Sequence, residues 1–131
     1  MAIKKTKTSK KKKNIKLSSG LLHVNTSPNN TIVVLTDENG NKVLWGGTGI
    51  IWYKWSKKST PYAAEMLTKQ ILSEAKNYGL KEIGIVLKGI WMARDGIFKA
   101  VNDSGDVEIT FIKEATPIQF GWCKWKRQRR I

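Results

Sequence analysis

The chain reads as a single α/β domain on a mixed five-stranded sheet, with two main helices in the order β-β-β-α-β-α-β and a basic extension at each end. Three observations predict it. Strand-like segments separated by turn residues fill the first third, a stretch of helical period follows Thr60-Pro61, and a mostly apolar segment comes directly after that helix. With 131 residues and 40% hydrophobic content, the chain has room for one two-layer core and lacks the composition of a disordered protein.

Leu21 to Thr26 and Thr31 to Asp37 are rich in β-branched and apolar residues and predict two strands, joined by the turn Ser27-Pro28-Asn29-Asn30. Asn39-Gly40 tolerates positive φ and predicts a second turn, with Lys42 to Trp45 as a third strand. Gly46, Gly47 and Gly49 are expected to open a loop that runs through Trp52 to Lys58. The loop ends where Thr60 can serve as N-cap and Pro61 can take the first helical position. Ala64, Leu67, Ile71, Ala75 and Tyr78 then recur at helical spacing. Glu65 and Lys69 form an i,i+4 pair expected on the outer side, and Gly79 a left-handed stop. Glu82 to Leu87 reads as a buried strand, and a strand arriving after a helix is expected to pair in parallel with an earlier one. Lys88 to Ala93 is expected to be loop, Arg94 to Asn102 a second helix with Ile97, Phe98 and Val101 inward, and Val107 to Ile112 a fifth strand.

Charge falls in blocks. Of 24 Lys and Arg, eight lie in residues 1–16 and five in residues 121–131, which leaves eleven cations against all ten acids in residues 17–120. Three parts are expected: a disordered basic arm over 1–16, the α/β domain over 17–118, and a basic RNA-binding arm over 119–131. Like charges packed together repel, so clustered blocks make sense when a dense polyanion neutralises them, and nucleic acid is the commonest such partner.

Other function classes find little support. Uncharged runs such as Val43 to Tyr53 are too short to cross a bilayer, and neither an amphipathic helix nor a lipidation motif accompanies the N-terminal lysines, so no membrane partner is expected. Those lysines are not followed by the apolar stretch of a secretory signal, and an import peptide would be Arg-rich where residues 1–16 hold no Arg. With Cys123 the single cysteine and His23 the single histidine, neither a disulfide nor a Cys/His metal site is expected. Asp37, Asp95, Asp103 and Asp106 each have a local place in a cap or turn, whereas a two-metal nuclease needs converging acids. No enzyme activity and no cofactor are expected, beyond structural Mg²⁺ shared with RNA.

The binding residues follow from the loops. Lys54, Lys57, Lys58, Ser59 and Thr60 converge on a helix N-terminus, where free N–H groups and the helix dipole favour an anion, so a phosphate site and an ordinary capped helix with solvated lysines are both open readings. The Walker spacing is absent. Trp52, Trp55, Trp91, Trp122 and Trp125 fall outside the predicted regular structure, where indoles either stack on unpaired bases or anchor protein contacts. Lys88-Gly89 with Arg94 offers another amide-and-cation contact, or a plain surface loop. His23 on a strand is expected to be a packed or hydrogen-bonded core residue, and Cys123 a small contact residue.

These stretches resemble one family, the universal small-subunit ribosomal protein eleven, over residues 20–131. The resemblance rests on Asn29-Asn30-Thr31-Ile32-Val33, the Thr36-Asp37…Gly40 turn, Trp45, and Lys58-Ser59-Thr60-Pro61-Tyr62-Ala63-Ala64. Tyr78-Gly79-Leu80-Lys81, Lys88-Gly89, Thr116-Pro117-Ile118, Cys123 and Arg129-Arg130-Ile131 complete it. It implies a ribonuclease H-like fold without nuclease activity on the small-subunit platform, bound to ribosomal RNA and neighbouring platform proteins near the exit path of messenger RNA. Carried over, the RNA-binding positions are Asn29, Asn30, Lys54, Lys57, Lys58, Ser59, Thr60, Lys88 and Arg94 with the terminal basic run Lys124, Lys126, Arg127, Arg129 and Arg130, to which Trp55 and Trp125 are added as stacking residues. The family's glycine-rich loops are interrupted here by Ile50, Ile51, Trp52 and Trp55, by Ile90, Trp91 and Met92, and by Trp122 and Trp125, which points to stacking or a lineage-specific protein contact at those loops. Twenty Lys against four Arg, with 14 Ile, suggests an A/T-rich organellar genome and a mitochondrial ribosome, with a bacterial cytoplasm as the alternative. The rival function is a free-standing single-stranded RNA-binding protein or RNA chaperone.

Overall fold

A computed structural model describes residues 15–51, 54–121 and 124–131, with the backbone alone at 55 and 56. The basic arm expected over 1–16 thus lies outside the described residues except at its last two positions. The strands are β1 Ser19–Thr26, β2 Thr31–Thr36, β3 Lys42–Gly47, β4 Glu82–Lys88 and β5 Glu108–Glu114, and the helices α1 Pro61–Lys76 and α2 Ala93–Ser104. They form one sheet in the order β3-β2-β1-β4-β5. β1 pairs antiparallel with β2 and parallel with β4, β3 lies antiparallel on β2, and β5 lies parallel on β4. This mixed sheet with two helices is the ribonuclease H-like α/β arrangement, and its element order is the one the sequence predicts.

Topology fixes where the helices go. The crossovers β3–α1–β4 and β4–α2–β5 step across the sheet in the same direction, so right-handed connections put both helices on one face. Leu22, Val24, Val33, Leu35, Ile83, Ile85 and Leu87 alternate along the strands toward that face and cluster with Leu67, Ile71, Leu72, Ile97 and Val101. β1, β3, β4 and β5 all run the same way, and we call the side where they end the carboxyl edge. The N-termini of α1 and α2 stand at that edge. They approach so closely that a Cβ on Gly96 would lie 2.0 Å from the Pro61 carbonyl oxygen.

Local chemistry sets the helix limits. Thr60 Oγ1 accepts from the Ala63 amide at 3.3 Å, Pro61 opens α1, and Gly79 at φ +83° turns the chain after it. Thr60→Ala should therefore lower stability by about 1 kcal/mol, read as a shift in the urea midpoint with an unchanged m-value.

Three expectations change. Gly46 and Gly47 continue β3, paired with Val33 and Ile32, instead of opening the loop. A Cβ on Gly46 would meet Leu67 Cδ1 at 2.8 Å, so that glycine lets α1 settle on the strand. A short 3₁₀ turn, Trp55–Ser59, occupies part of the expected loop. Glu65 is buried toward α2 and not on the outer side: it accepts from Lys69 Nζ at 2.6 Å and pairs with Lys99 Nζ at 3.4 Å, while Lys69 also reaches Asp103 at 3.1 Å. The hydrogen bond from Lys69 holds the Glu65 carboxyl below its usual range.

Candidate nucleic-acid interface

The sequence segments singled out for binding meet at the carboxyl edge. The β1–β2 turn with Asn29 and Asn30, the loop from Thr48 to Thr60, Lys88-Gly89, the start of α2 at Arg94, and the departure of the C-terminal segment after Glu114 are all there. Hydrogen bonds tie them into one surface. Asn30 Oδ1 accepts from the Thr31 amide at 2.9 Å and from Thr48 Oγ1 at 2.7 Å, joining the turn to the loop after β3. Thr26 Oγ1 donates to the Lys88 carbonyl at 3.1 Å, and the Gly89 amide donates to Thr116 Oγ1 at 3.2 Å. Gly89 has φ +96°, and a Cβ there would lie 2.0 Å from the Thr26 carbonyl oxygen, so only glycine allows this crossing.

The predicted residues divide into builders and free cations. Asn30 braces the two loops, and Thr60 caps α1 while donating to the Lys57 carbonyl at 2.8 Å. Pro61 has no N–H, and Thr60 takes those of Ala63 and Ala64, so the helix end offers little to an anion. Any phosphate contact here therefore falls to the lysines. Arg94 pairs with Glu114, which also accepts from Thr116, and these bonds, Thr116 first, hold the Glu114 carboxyl below its usual range. Asn29, Lys54, Lys57 and Lys88 are exposed, and Lys58 is half-buried along Gly49. Ser59 is half-buried beside them. Lys124, Trp125, Lys126, Arg127, Arg129 and Arg130 are exposed in the C-terminal segment, with Trp125 93% exposed. Trp52, Trp122, Cys123 and the Trp55 side chain lie outside the described residues.

Topology adds a polarity that composition hides. Asp37, Glu38, Glu74, Glu82, Asp103, Asp106 and Glu108 all lie toward the opposite edge, in the β2–β3 turn, at strand starts and at helix C-termini. Asp37 there accepts from the Asn41 amide at 2.8 Å and its Nδ2 at 2.9 Å, and Asp106 pairs with Lys76. The acids thus serve turns and ion pairs, and among the described residues no group of three His, Cys, Asp or Glu could hold a metal. The near-neutral body is in effect a dipole with its positive end at the carboxyl edge. Ile50, Ile90, Trp91 and Met92, which the sequence marks as interrupting the glycine loops, are exposed there among the cations, and they are joined by Tyr62, to which sequence reasoning gave no such place. Among the described residues no helix is long and apolar enough to cross a membrane.

A family model described as ribosomal protein S11 matches residues 20–130. The chain belongs to the ribosomal protein S11 family. The small ribosomal subunit protein uS11 of Thermotoga maritima is 35% identical over 131 residues, all of both chains. Those of Campylobacter curvus and Campylobacter hominis are 38% identical over 115 residues (88% of each chain) and 37% identical over 123 (92% of this chain, 95% of the relative). The resemblance drawn from the motifs is thus borne out. S11-family proteins are structural and not enzymatic, in keeping with acids spent on turns and ion pairs.

Proposed function

We propose that this S11-family chain is a structural constituent of the small ribosomal subunit, binding small-subunit ribosomal RNA through its carboxyl-edge loops and basic extensions and so supporting translation. One observation carries the reading: Asn29, Lys54, Lys57, Lys58 and Lys88 meet at one edge while most acids occupy the other. In this reading the lysines hold phosphates, Arg94 is positioned by Glu114, and Lys124 to Arg130 with Trp125 thread between RNA helices. Asn30, Ser59 and Thr60 shape the loops that the RNA meets. The basic arms over 1–16 and 119–131 flank a folded body over 17–118. The names of the curated relatives support ribosomal RNA and ribosomal proteins as partners. The platform site near the messenger RNA exit path is proposed from the family resemblance. So is a ribosomal location, in a mitochondrion on the Lys-over-Arg and Ile-rich composition or in a bacterial cytoplasm, as the bacterial relatives favour.

If about six phosphates are contacted, raising salt from 50 to 200 mM should weaken binding to a small-subunit RNA fragment by roughly 10³-fold. The double variant Lys57→Glu/Lys58→Glu should weaken it further without loss of fold. A flat salt profile, or a protein that sediments free of the small subunit after a salt wash, would contradict the proposal, the latter in favour of a free-standing RNA binder.

A further inference from the structure

The sheet face turned away from α1 and α2 is covered by no element among the described residues, and the strand register fixes what stands on it. Trp45, Val34, His23, Val86 and Lys113 form one row across all five strands. The next row toward the carboxyl edge is Gly47, Ile32, Asn25 and Lys88. On the other side of the first row lie Leu21, Gly84 and Phe111, and the Phe111 ring covers Gly84 so closely that a Cβ there would lie 2.6 Å from it. His23 is thus half-buried on this open face and not in the core expected for it. Between the first two rows runs a groove of about 200 Å³ lined by His23, Asn25, Ile32, Val34, Val86 and Lys88.

This surface has a specific chemical character. Trp45 is 56% exposed and Phe111 45%, and Lys42 Nζ stands 5.5 Å from the centre of the Trp45 ring. No carboxylate occupies the two upper rows, since Glu38 and Glu82 stand with Leu21 and Phe111 at the far end. Burial, and then the charge of Lys88, lower the His23 pKa, which favours a neutral imidazole able to stack and to hydrogen-bond. Lys88 belongs both to the groove and to the carboxyl-edge loops, so the two surfaces are continuous.

We propose that the open sheet face is a second RNA surface of this chain, which takes a short unpaired segment continuing from the carboxyl edge. One base lies in the groove against Val34 and Val86 beside His23, with the Asn25 amide at its edge. Trp45 and Phe111 offer rings to its neighbours, and Lys42, Lys88 and Lys113 face the phosphates. Aromatic and aliphatic groups flanked by cations suit unpaired bases, because every base has a π-face and each nucleotide adds a phosphate. A neutral polypeptide would fill the groove but leave the three lysines without counter-charge. The proposal rests on the reading of the chain as an RNA binder, and adds where unpaired nucleotides go.

The test uses the full chain with an eight-nucleotide oligouridine and a structured small-subunit RNA fragment as probes. Oligouridine is expected to shift the NMR signals of His23, Val34 and Val86, and Trp45→Ala to weaken its binding about tenfold, the loss of one base–ring stack. Val86→Glu, which sets a carboxylate in the groove, is expected to do the same, and Trp45→Ala carries the test should Val86→Glu fail to fold. If oligouridine moves only loop and tail signals and both folded variants bind like the parent, the face proposal is overturned while the carboxyl-edge reading stands. Loss of binding to both probes in every form of the chain would sink both. Photo-crosslinks from Trp45 in purified small subunits are expected on nucleotides, and crosslinks only to a polypeptide would overturn the face proposal.

Discussion

Deleting residues 119–131 should lower affinity for a structured small-subunit RNA fragment by about 10³-fold at 0.1 M salt and flatten the salt dependence by about four units of slope. The segment contains Lys124, Lys126, Arg127, Arg129 and Arg130, which are exposed and without an ion pair among the described residues. Each phosphate neutralised releases counterions, so a loss of close to five contacts shows in the slope as well as in the affinity. The body should be unaffected, because β5 ends at Glu114 and the bond from the Gly89 amide to Thr116 Oγ1 lies before the cut. Titrations at several salt concentrations, with circular dichroism on both proteins, check this. A slope unchanged by the deletion would mean that the segment lies off the RNA.

Gly96→Val should destabilise the domain by more than about 3 kcal/mol, the upper range for overpacking. A flexible neighbour could yield, but the atoms in the way are backbone: the Pro61 carbonyl oxygen at 2.0 Å and its carbon at 2.7 Å. The helix ends must move apart, and with them Thr60 and the lysines that precede it. Thermal unfolding should fall by more than about 10 °C for a domain of this size. Gly49→Ala is the matched control: an added Cβ would meet only the Lys58 side chain at an ordinary 3.6 Å, and its effect should stay within about 0.5 kcal/mol. Equal melting temperatures for the two variants would show that α1 and α2 do not cross so closely at their N-termini.

Much of the architecture was legible because period and punctuation agreed. Thr60-Pro61, the repeat from Ala64 to Ala75, and Gly79 marked α1 within a residue or two. Glu82 to Leu87 was recognisable as a buried parallel strand because its apolar run followed a helix. Gly46 and Gly47 misled, since a glycine that admits a neighbouring helix looks in sequence like one that opens a loop. The outward placing of Glu65 failed for a related reason: helical period gives an angle around α1, but not which flank α2 will cover. At the carboxyl edge, residue types singled out lysines and asparagines as candidates but not how they are held. That Asn30 is a bracing group follows from Thr48, 18 positions away, which no local pattern encodes, whereas the Thr60 cap bonds within three residues and was legible in Thr60-Pro61. The segregation of acids to the far edge, and the cation-flanked open sheet face, arise from strand direction and register alone.

The two ends of the described body part company. Leu17 and Ser18 are pinned beside the end of α1, where the Leu17 amide donates to Tyr78 and the Ser18 carbonyl accepts from Lys81, whereas the segment after Glu114 departs beyond Lys88. The eight residues of β1 alone separate those poles by about 26 Å. The chain therefore enters and leaves the body at opposite edges of the sheet, so its two extensions set out from points a full strand length apart.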